Sequence, residues 1–199
     1  MLPRTVSPAL ISCALVLAGA LTTAQPALYA ATRDGVPSAT EIMSHAEAQA
    51  LAEHKNILLD FGASWCGNCK LYDRFAADPQ MHSLLSRVFV FASMTTGEHA
   101  GDAKHANTPG GLEFEASIGG KDAGWPYLIM LDADGKSIVD SFRPAPTSKA
   151  GKSNTGYPDA PEEVDWFIEM LRRAAPSLSA QELAGVHAWL TAHSTTQHH

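Results

Sequence analysis

At 199 residues the chain has room for one ordinary domain with a buried core and some additions. Hydrophobic residues make up 45% of it and charged residues 18%, which excludes a disordered polymer. Its net charge of −7 and lack of any basic block argue against a surface built for nucleic acid or anionic lipid.

Met1–Ala24 has the form of a secretory signal: Arg4 opens it, Ala9–Leu21 is a short apolar run, and Ala18/Ala20 or Thr22/Ala24 offer cleavage sites. The run is too short for an uncleaved anchor, so no stable membrane insertion is expected after cleavage. Leu10-Ile11-Ser12-Cys13 has the outline of a lipid-attachment box, but the apolar run continues past Cys13, where such a box ends. Cleavage removes one base and no acid, taking the net charge from −7 to −8, and leaves Cys66 and Cys69 of the three cysteines. No separate structural disulfide then remains.

Gln25–Pro37 reads as a flexible Ala/Pro-rich lead. Ser38-Ala39-Thr40-Glu41 is a capping box opening a helix to about Glu53, with Ile42, Ala46, Gln49 and Ala50 as a modest apolar face. Asn56–Phe61 is a short apolar strand. Small residues follow at Gly62, Ala63 and Ser64, then Trp65 and Cys66-Gly67-Asn68-Cys69. A helix is predicted over Asn68–Ala77, with Leu71 and Phe75 on one face. Asp78-Pro79 caps a second short helix to Ser86, and Val88–Ser93 is a strand.

Thr95–Gly124 is long and Gly-rich, with a helical turn at Leu112–Ile118; a loop of this length is usually functional or mobile. Trp125-Pro126 leads into a strand over Pro126–Leu131. Asp132–Gly135 then turns the chain into a partner strand, Ser137–Phe142. Arg143–Pro158 reads as a polar segment. Asp159, Pro161 and Glu162 start a helix striped with Val164, Phe167, Ile168 and Leu171, which Pro176 stops. Ser179–Glu182 is a further capping box, opening a last helix through Leu183, Val186, His187 and Leu190. The expected division is a signal over 1–24, a lead over 25–37, a domain over 38–174 and a helical extension over 175–199.

A strand, a tight turn and a helix with Cys-x-x-Cys at the junction is what thiol–disulfide exchange needs. Cys66 falls at the helix start, where unpaired N–H groups and the macrodipole favour a thiolate. Cys69 follows about one turn later on the same face, placed to close or release a disulfide. Two metal readings compete. A zinc half-site lacks a second cysteine pair, although His82, His99 and His105 are at hand; a Cu(I) site suits soft thiolates. Asp60 lies inside the run Leu58–Phe61. On an internal parallel strand it is covered on both faces, its pKa rises, and it can take a proton from Cys69. The alternative is a solvent-facing acid at a strand end. Trp125 is either an aromatic platform for an apolar client segment or packing beneath the long loop. The side chain of Asn68 can bond local backbone and tune the turn. Lys70 either adds local positive charge or is simply solvated, and His99, His105, His198 and His199 receive no role.

The stretch ILLDFGASWCGNCK resembles the thioredoxin superfamily in its strand, buried acid, Trp-Cys-x-x-Cys-Lys and helix start. The resemblance runs from Ala39 to about Ala174 and is similar to secreted bacterial thioredoxin-like proteins. It implies an α/β thioredoxin-like fold, a central mixed sheet flanked by helices, with a long insertion before the proline strand and an extra C-terminal helix. It also implies that Pro126 is cis and lies against the disulfide, presenting backbone to the client. Three departures stand out: Trp125 replaces a smaller residue, Gly67-Asn68 replaces Gly-Pro, and VFVFAS lacks the lysine that usually partners the acid. The implied activity is protein-disulfide reduction or interchange in the periplasm or cell envelope. Cys66, Cys69 and Asp60 would be catalytic, and Trp65, Trp125 and Pro126 would contact substrate. No organic cofactor and no metal are expected. Partners would be protein thiols and disulfides, with a membrane electron donor among the candidates. The rival is a Cu(I)-binding or redox-sensing module without turnover.

Overall fold

The computed structural model describes residues 35–102 and 104–195. The expected signal, most of the expected lead and His198-His199 lie outside the described residues. The first helix, α1 (Ala39–Glu53), starts at the expected capping box: Glu41 N–H donates to Ser38 Oγ at 3.3 Å, and Ser38 N–H donates to the Glu41 carboxylate at 2.8 Å. Its buried face is Ala39, Met43, Ala46 and Ala50. The expected face was rotated by about one residue, since Ile42 and Gln49 sit at its half-buried edges.

Strands β1 (Asn56–Gly62), β2 (Phe89–Thr95), β3 (Tyr127–Leu131) and β4 (Ser137–Asp140) form one sheet in the order β2-β1-β3-β4. β1 runs parallel to β2 and antiparallel to β3, so it is internal, but parallel on one side only. Side chains alternate across it. Ile57, Leu59 and Phe61 pack with Met43, Val90 and Ile129 on the α1 face. Leu58 packs on the other face with Tyr72, Phe75, Phe167 and Leu171. Asp60 shares the Leu58 face by the same alternation. That parity puts it under the helix that carries the cysteines.

That helix is α2 (Gly67–Ala77). It is followed by α3 (Pro79–Leu85), whose first N–H groups, those of Gln80 and Met81, donate to the Asp78 carboxylate at 3.0 and 3.1 Å. α4 (Gly111–Ser117) lies in the long segment before β3, and its Phe114 packs on the α1 face. α5 (Pro161–Ala174) and α6 (Ala180–Ala192) cover the opposite face; Val164, Phe167, Ile168 and Leu171 share one core with Leu183, Val186 and Leu190. His187, expected on that stripe, is half-buried at its edge. Helices on both faces of a mixed sheet are the layering the resemblance implied.

Two local expectations change. The strand expected over Ser137–Phe142 breaks at Ser141, which is fully buried. Ser141 N–H donates to Leu128 O at 2.8 Å, and its Oγ accepts from Leu128 N–H at 3.0 Å while donating to Asn154 Oδ1 at 2.6 Å. A side-chain oxygen here takes the place of a ladder carbonyl, and the chain leaves the sheet. It forms a second, two-stranded sheet from β5 (Phe142–Pro144) and β6 (Lys152–Asn154), inside the segment expected to be polar loop. Asn154 Nδ2 reaches back to donate to Gly124 O at 3.2 Å and Pro126 O at 3.0 Å. At the start of α5, the Asp159 and Ala160 N–H groups donate to the Glu163 carboxylate at 3.2 and 3.1 Å. The Asp159 carboxylate instead accepts from the N–H and hydroxyl of Thr195, each at 2.6 Å, tying down the end of the last helix.

Candidate active site

β1 delivers the chain to the site at Gly62. A Cβ there would lie 3.2 Å from Cys69 Sγ, so a glycine lets the strand end pass close beneath the sulfur. Cys66 N–H donates to Ala63 O at 3.1 Å, closing the turn, and Cys66 becomes the N-cap of α2. Its Sγ accepts the N–H of Cys69 at 3.1 Å. Cys66 and Cys69 are joined in a disulfide with Cα atoms 5.2 Å apart. Both are nearly covered, at 6% and 7% exposure, so accessibility does not distinguish them. Capping does: only Cys66 Sγ receives a backbone N–H of the first turn, and the same donor would stabilise its thiolate.

The Trp125–Pro126 peptide is cis, and Trp125 O lies 3.6 Å from Cys66 Sγ. Trp65, 47% exposed, stands beside the disulfide. Its indole packs edge-on against Trp125 with centroids 5.8 Å apart and stacks on the His99 ring at 5.2 Å.

Asp60 faces Ser93 across the β1–β2 register, and Ser93 Oγ donates to its carboxylate at 2.8 Å. Ser93, the last residue of the lysine-free VFVFAS stretch, is thus the polar neighbour of Asp60 on β2. Burial pushes the Asp60 pKa up to about 7; the Ser93 hydrogen bond opposes this and the nearby charge of Asp73 adds to it. By surface area Asp60 is only half-buried, because grooves reach it from two sides. Water in those grooves tempers the shift without reversing it. One groove, of about 260 Å³, brings Asp60, Asp73, Ser93 and Glu98 to Cys69. The other, of about 360 Å³, is lined by Asp60, Tyr72, Asp73 and His82. The Tyr72 hydroxyl has no hydrogen-bond partner among the described residues, and burial raises its pKa well above the usual phenol range.

The residues that sequence reasoning missed come from the segment after β2. The Glu98 carboxylate accepts from Ser64 N–H at 2.5 Å and Ser64 Oγ at 3.0 Å, holding the turn that leads into Cys66. Trp65 Nε1 donates to Gly97 O at 2.8 Å, and Trp125 Nε1 donates to Thr96 Oγ1 at 3.0 Å. A Cβ on Gly97 would come within 2.8 Å of Ala63 Cβ and 3.0 Å of the Trp125 ring. The loop is closed at its base by reciprocal pairs. Thr108 N–H donates to Thr95 O at 2.7 Å while Thr95 N–H donates to Thr108 Oγ1 at 3.0 Å; Glu98 and Asn107 exchange similar bonds at 2.8 and 3.1 Å. Loop length was the sole signal of this in the sequence. A lone Glu among small residues has no periodicity to read.

One donor atom each from Glu98, Asp102 and His105 lies within 4.8 Å of the others, and neither cysteine joins them. Asp102 and His105 are already paired at 3.0 Å. Among the described residues no helix is long and apolar enough to cross a membrane.

A mixed sheet of this order with helices on both faces, a Cys-x-x-Cys disulfide capping the helix after its inner strand and a cis-proline facing that disulfide define a thioredoxin-like fold. No protein-family model matches the chain. Over 89 residues, 44% of this chain, it is 29% identical to the thiol:disulfide interchange protein DsbD of Photorhabdus laumondii. The match spans only 14% of that relative's length. Among solved structures it is similar to a disulphide isomerase from Xylella fastidiosa, at 21% identity over 79% of this chain and 95% of that one, with a TM-score of 0.46. It is also similar to the oxidised C-terminal domain of Neisseria meningitidis DsbD, at 23% identity over 68% and 99%, with a TM-score of 0.41.

Proposed function

We propose that the protein is an exported oxidoreductase that exchanges dithiol for disulfide with protein clients, Cys66 attacking and Cys69 resolving. The observation that carries this reading is the position of Cys66 Sγ. It caps α2, is bonded to Cys69, and faces the carbonyl before the cis-proline, where a client sulfur would approach. In the reduced protein, the Cys66 thiolate attacks one sulfur of a client disulfide. A Cys66–client bond forms, the client S–S bond breaks, and the departing thiolate takes a proton. The Cys69 thiol then loses its proton and attacks Cys66 Sγ; the mixed disulfide breaks and the second client thiol leaves. The client gains two electrons and two protons, and the protein is left with the Cys66–Cys69 disulfide. A dithiol protein donor, at the membrane or in the same compartment, resets it.

Asp60 serves as the proton acceptor for Cys69. It reaches the same groove, and a carboxyl with a pKa pushed up to about 7 is matched to a proton transfer near neutrality. Trp65, Trp125 and Pro126 shape the surface that meets the client. Export is supported by Arg4 and the Ala9–Leu21 run, and by a cysteine content that leaves one reactive pair. The name of the DsbD relative agrees with the chemistry.

The test is insulin reduction with a supplied reductant, together with client trapping. Cys69→Ala should accumulate covalent adducts through Cys66, seen on non-reducing gels, and Cys66→Ala should give far fewer. Intact mass of envelope protein should show cleavage near Ala20, Ala24 or Ala30. No adducts from Cys69→Ala with Cys66 demonstrably reduced, together with tight Cu(I) binding, would replace exchange with metal carriage.

A further inference from the structure

On the side of α4, with Trp125 as one wall, lies a groove of about 450 Å³. Leu112, Ala116, Ala123 and the Trp125 indole give it hydrocarbon walls, and Glu115 lines it from within the fold at 5% exposure. We infer that this groove receives a lysine or arginine side chain next to the client's reacting cysteine, so that the protein acts preferentially on disulfides with a basic flank. This deepens the exchange reading above and rests on it.

Position is the first reason. Trp125 forms a wall of the groove, and its own carbonyl lies 3.6 Å from Cys66 Sγ. A client cysteine bonded to Cys66 therefore has its chain neighbours, about 3.3 Å apart per extended residue, within reach of the opening. Chemistry is the second. Lysine and arginine combine a long apolar stem, which suits such walls, with a cationic end. The Glu115 carboxylate has about four acceptor sites. The Trp125 N–H is spent on Thr96 Oγ1 at 3.0 Å, and the Thr96 hydroxyl has a single proton to give, so acceptor sites on the carboxylate stay free. Burial raises the Glu115 pKa, and an ammonium or guanidinium bound beside the carboxylate would favour its ionised form. An apolar side chain would fill the walls and leave that carboxylate desolvated without a partner. An acidic one would be repelled. At the mouth, exposed Lys121 and Asp122 offset each other, and the chain as a whole carries −7, which favours a cationic client's approach.

Three peptide disulfides that differ only in the residue beside the cysteine, lysine, norleucine or glutamate, provide the test, with the reduced full-length protein as reagent. The lysine peptide should be reduced with a kcat/KM at least about tenfold above the norleucine peptide, the glutamate peptide being slowest. Glu115→Gln, which keeps shape and removes charge, should shrink the lysine-over-norleucine ratio to within about twofold. Should that buried variant fold poorly, Leu112→Lys reads the same term: Leu112 is 51% exposed, and a cation at the mouth should slow the lysine peptide selectively. Equal rates for the three peptides, or norleucine fastest, would overturn the inference and leave exchange at Cys66 standing. Failure to reduce any peptide, or insulin, would remove the exchange reading itself and this inference with it.

Discussion

On one side of the disulfide, β1 and α2 bring Asp60, Cys66 and Cys69 together within a single contiguous stretch of chain. Around it, Thr96, Gly97, Glu98, Trp125 and Pro126 are gathered from separate segments and held by hydrogen bonds to one another and to Ser64, Trp65, Asn107 and Asn154. The contiguous wall derives its chemistry from local rules: a helix start supplies N–H groups, and strand parity puts an acid below the sulfur. The gathered wall derives its shape from packing, with two indoles and a glycine that leaves no room for a methyl group. In the proposed exchange, electrons and protons would pass through the first wall, and the second would set the fit of the client.

The harshest way to break this division is at Cys66. Cys66→Ala should lower disulfide reduction by at least about a thousandfold, since no second thiol occupies the helix cap. A small loss, read from initial rates on insulin or a peptide disulfide, would mean that Cys69 can attack and that the cap does not assign the roles. The gathered wall should fail differently. Gly97→Ala forces a methyl group against Ala63 and Trp125, and Glu98→Ala leaves the Ser64 N–H without its acceptor. Each should cost about 1–3 kcal/mol of stability in urea unfolding of the oxidised protein. The walls are separable if Cys66 still alkylates faster than Cys69 in both variants; equal labelling would show that the gathered wall also tunes the thiol.

Asp60 tests the contiguous wall through pH. Its folded pKa, about 7, lies above its ordinary 3.8, so between these values the folded protein holds a proton that the unfolded chain has lost. Stability therefore falls as pH rises from about 4 to about 7, then levels off. Asp60→Asn does not titrate. It should match the parent near pH 4 and exceed it by roughly 1–3 kcal/mol at pH 8, a figure reduced for the water that reaches the side chain. Its resolution step should slow near neutrality. A parallel stability profile for the two proteins would mean that Asp60 is not desolvated. The smallest effect is the control: Asp78→Ala removes the cap of α3, should cost about 1 kcal/mol, and should leave the exchange rate alone.

The same division decided what could be read from the chain. Ser38-x-x-Glu41, Ser179-x-x-Glu182 and Asp78-Pro79 act within a turn of themselves, so their residue types were enough. The α5 stripe was equally legible because four large apolar residues left no choice of face. α1 offered mainly alanines, and its face was misplaced by a residue. Ser141 looked like an ordinary strand residue; what breaks the strand is Asn154, contributed by another element. Glu98 and Thr108 carried no pattern at all. The bend at Pro126 came from the resemblance, since Trp-Pro alone favours trans. Contacts made across the fold, not within a segment, account for these misses.

Asn154 has a further consequence. Its one amide spans the proline turn from behind, holding the carbonyls of Gly124 and Pro126 and, through its oxygen, the hydroxyl of Ser141. The backing of the disulfide is thus anchored on a peripheral two-stranded arm. Loosening that arm would let the turn slide while the main sheet stayed intact, so damage there would read as altered client handling in a protein that still melts normally. A search for activity-altering substitutions confined to the neighbourhood of the cysteines would pass over it.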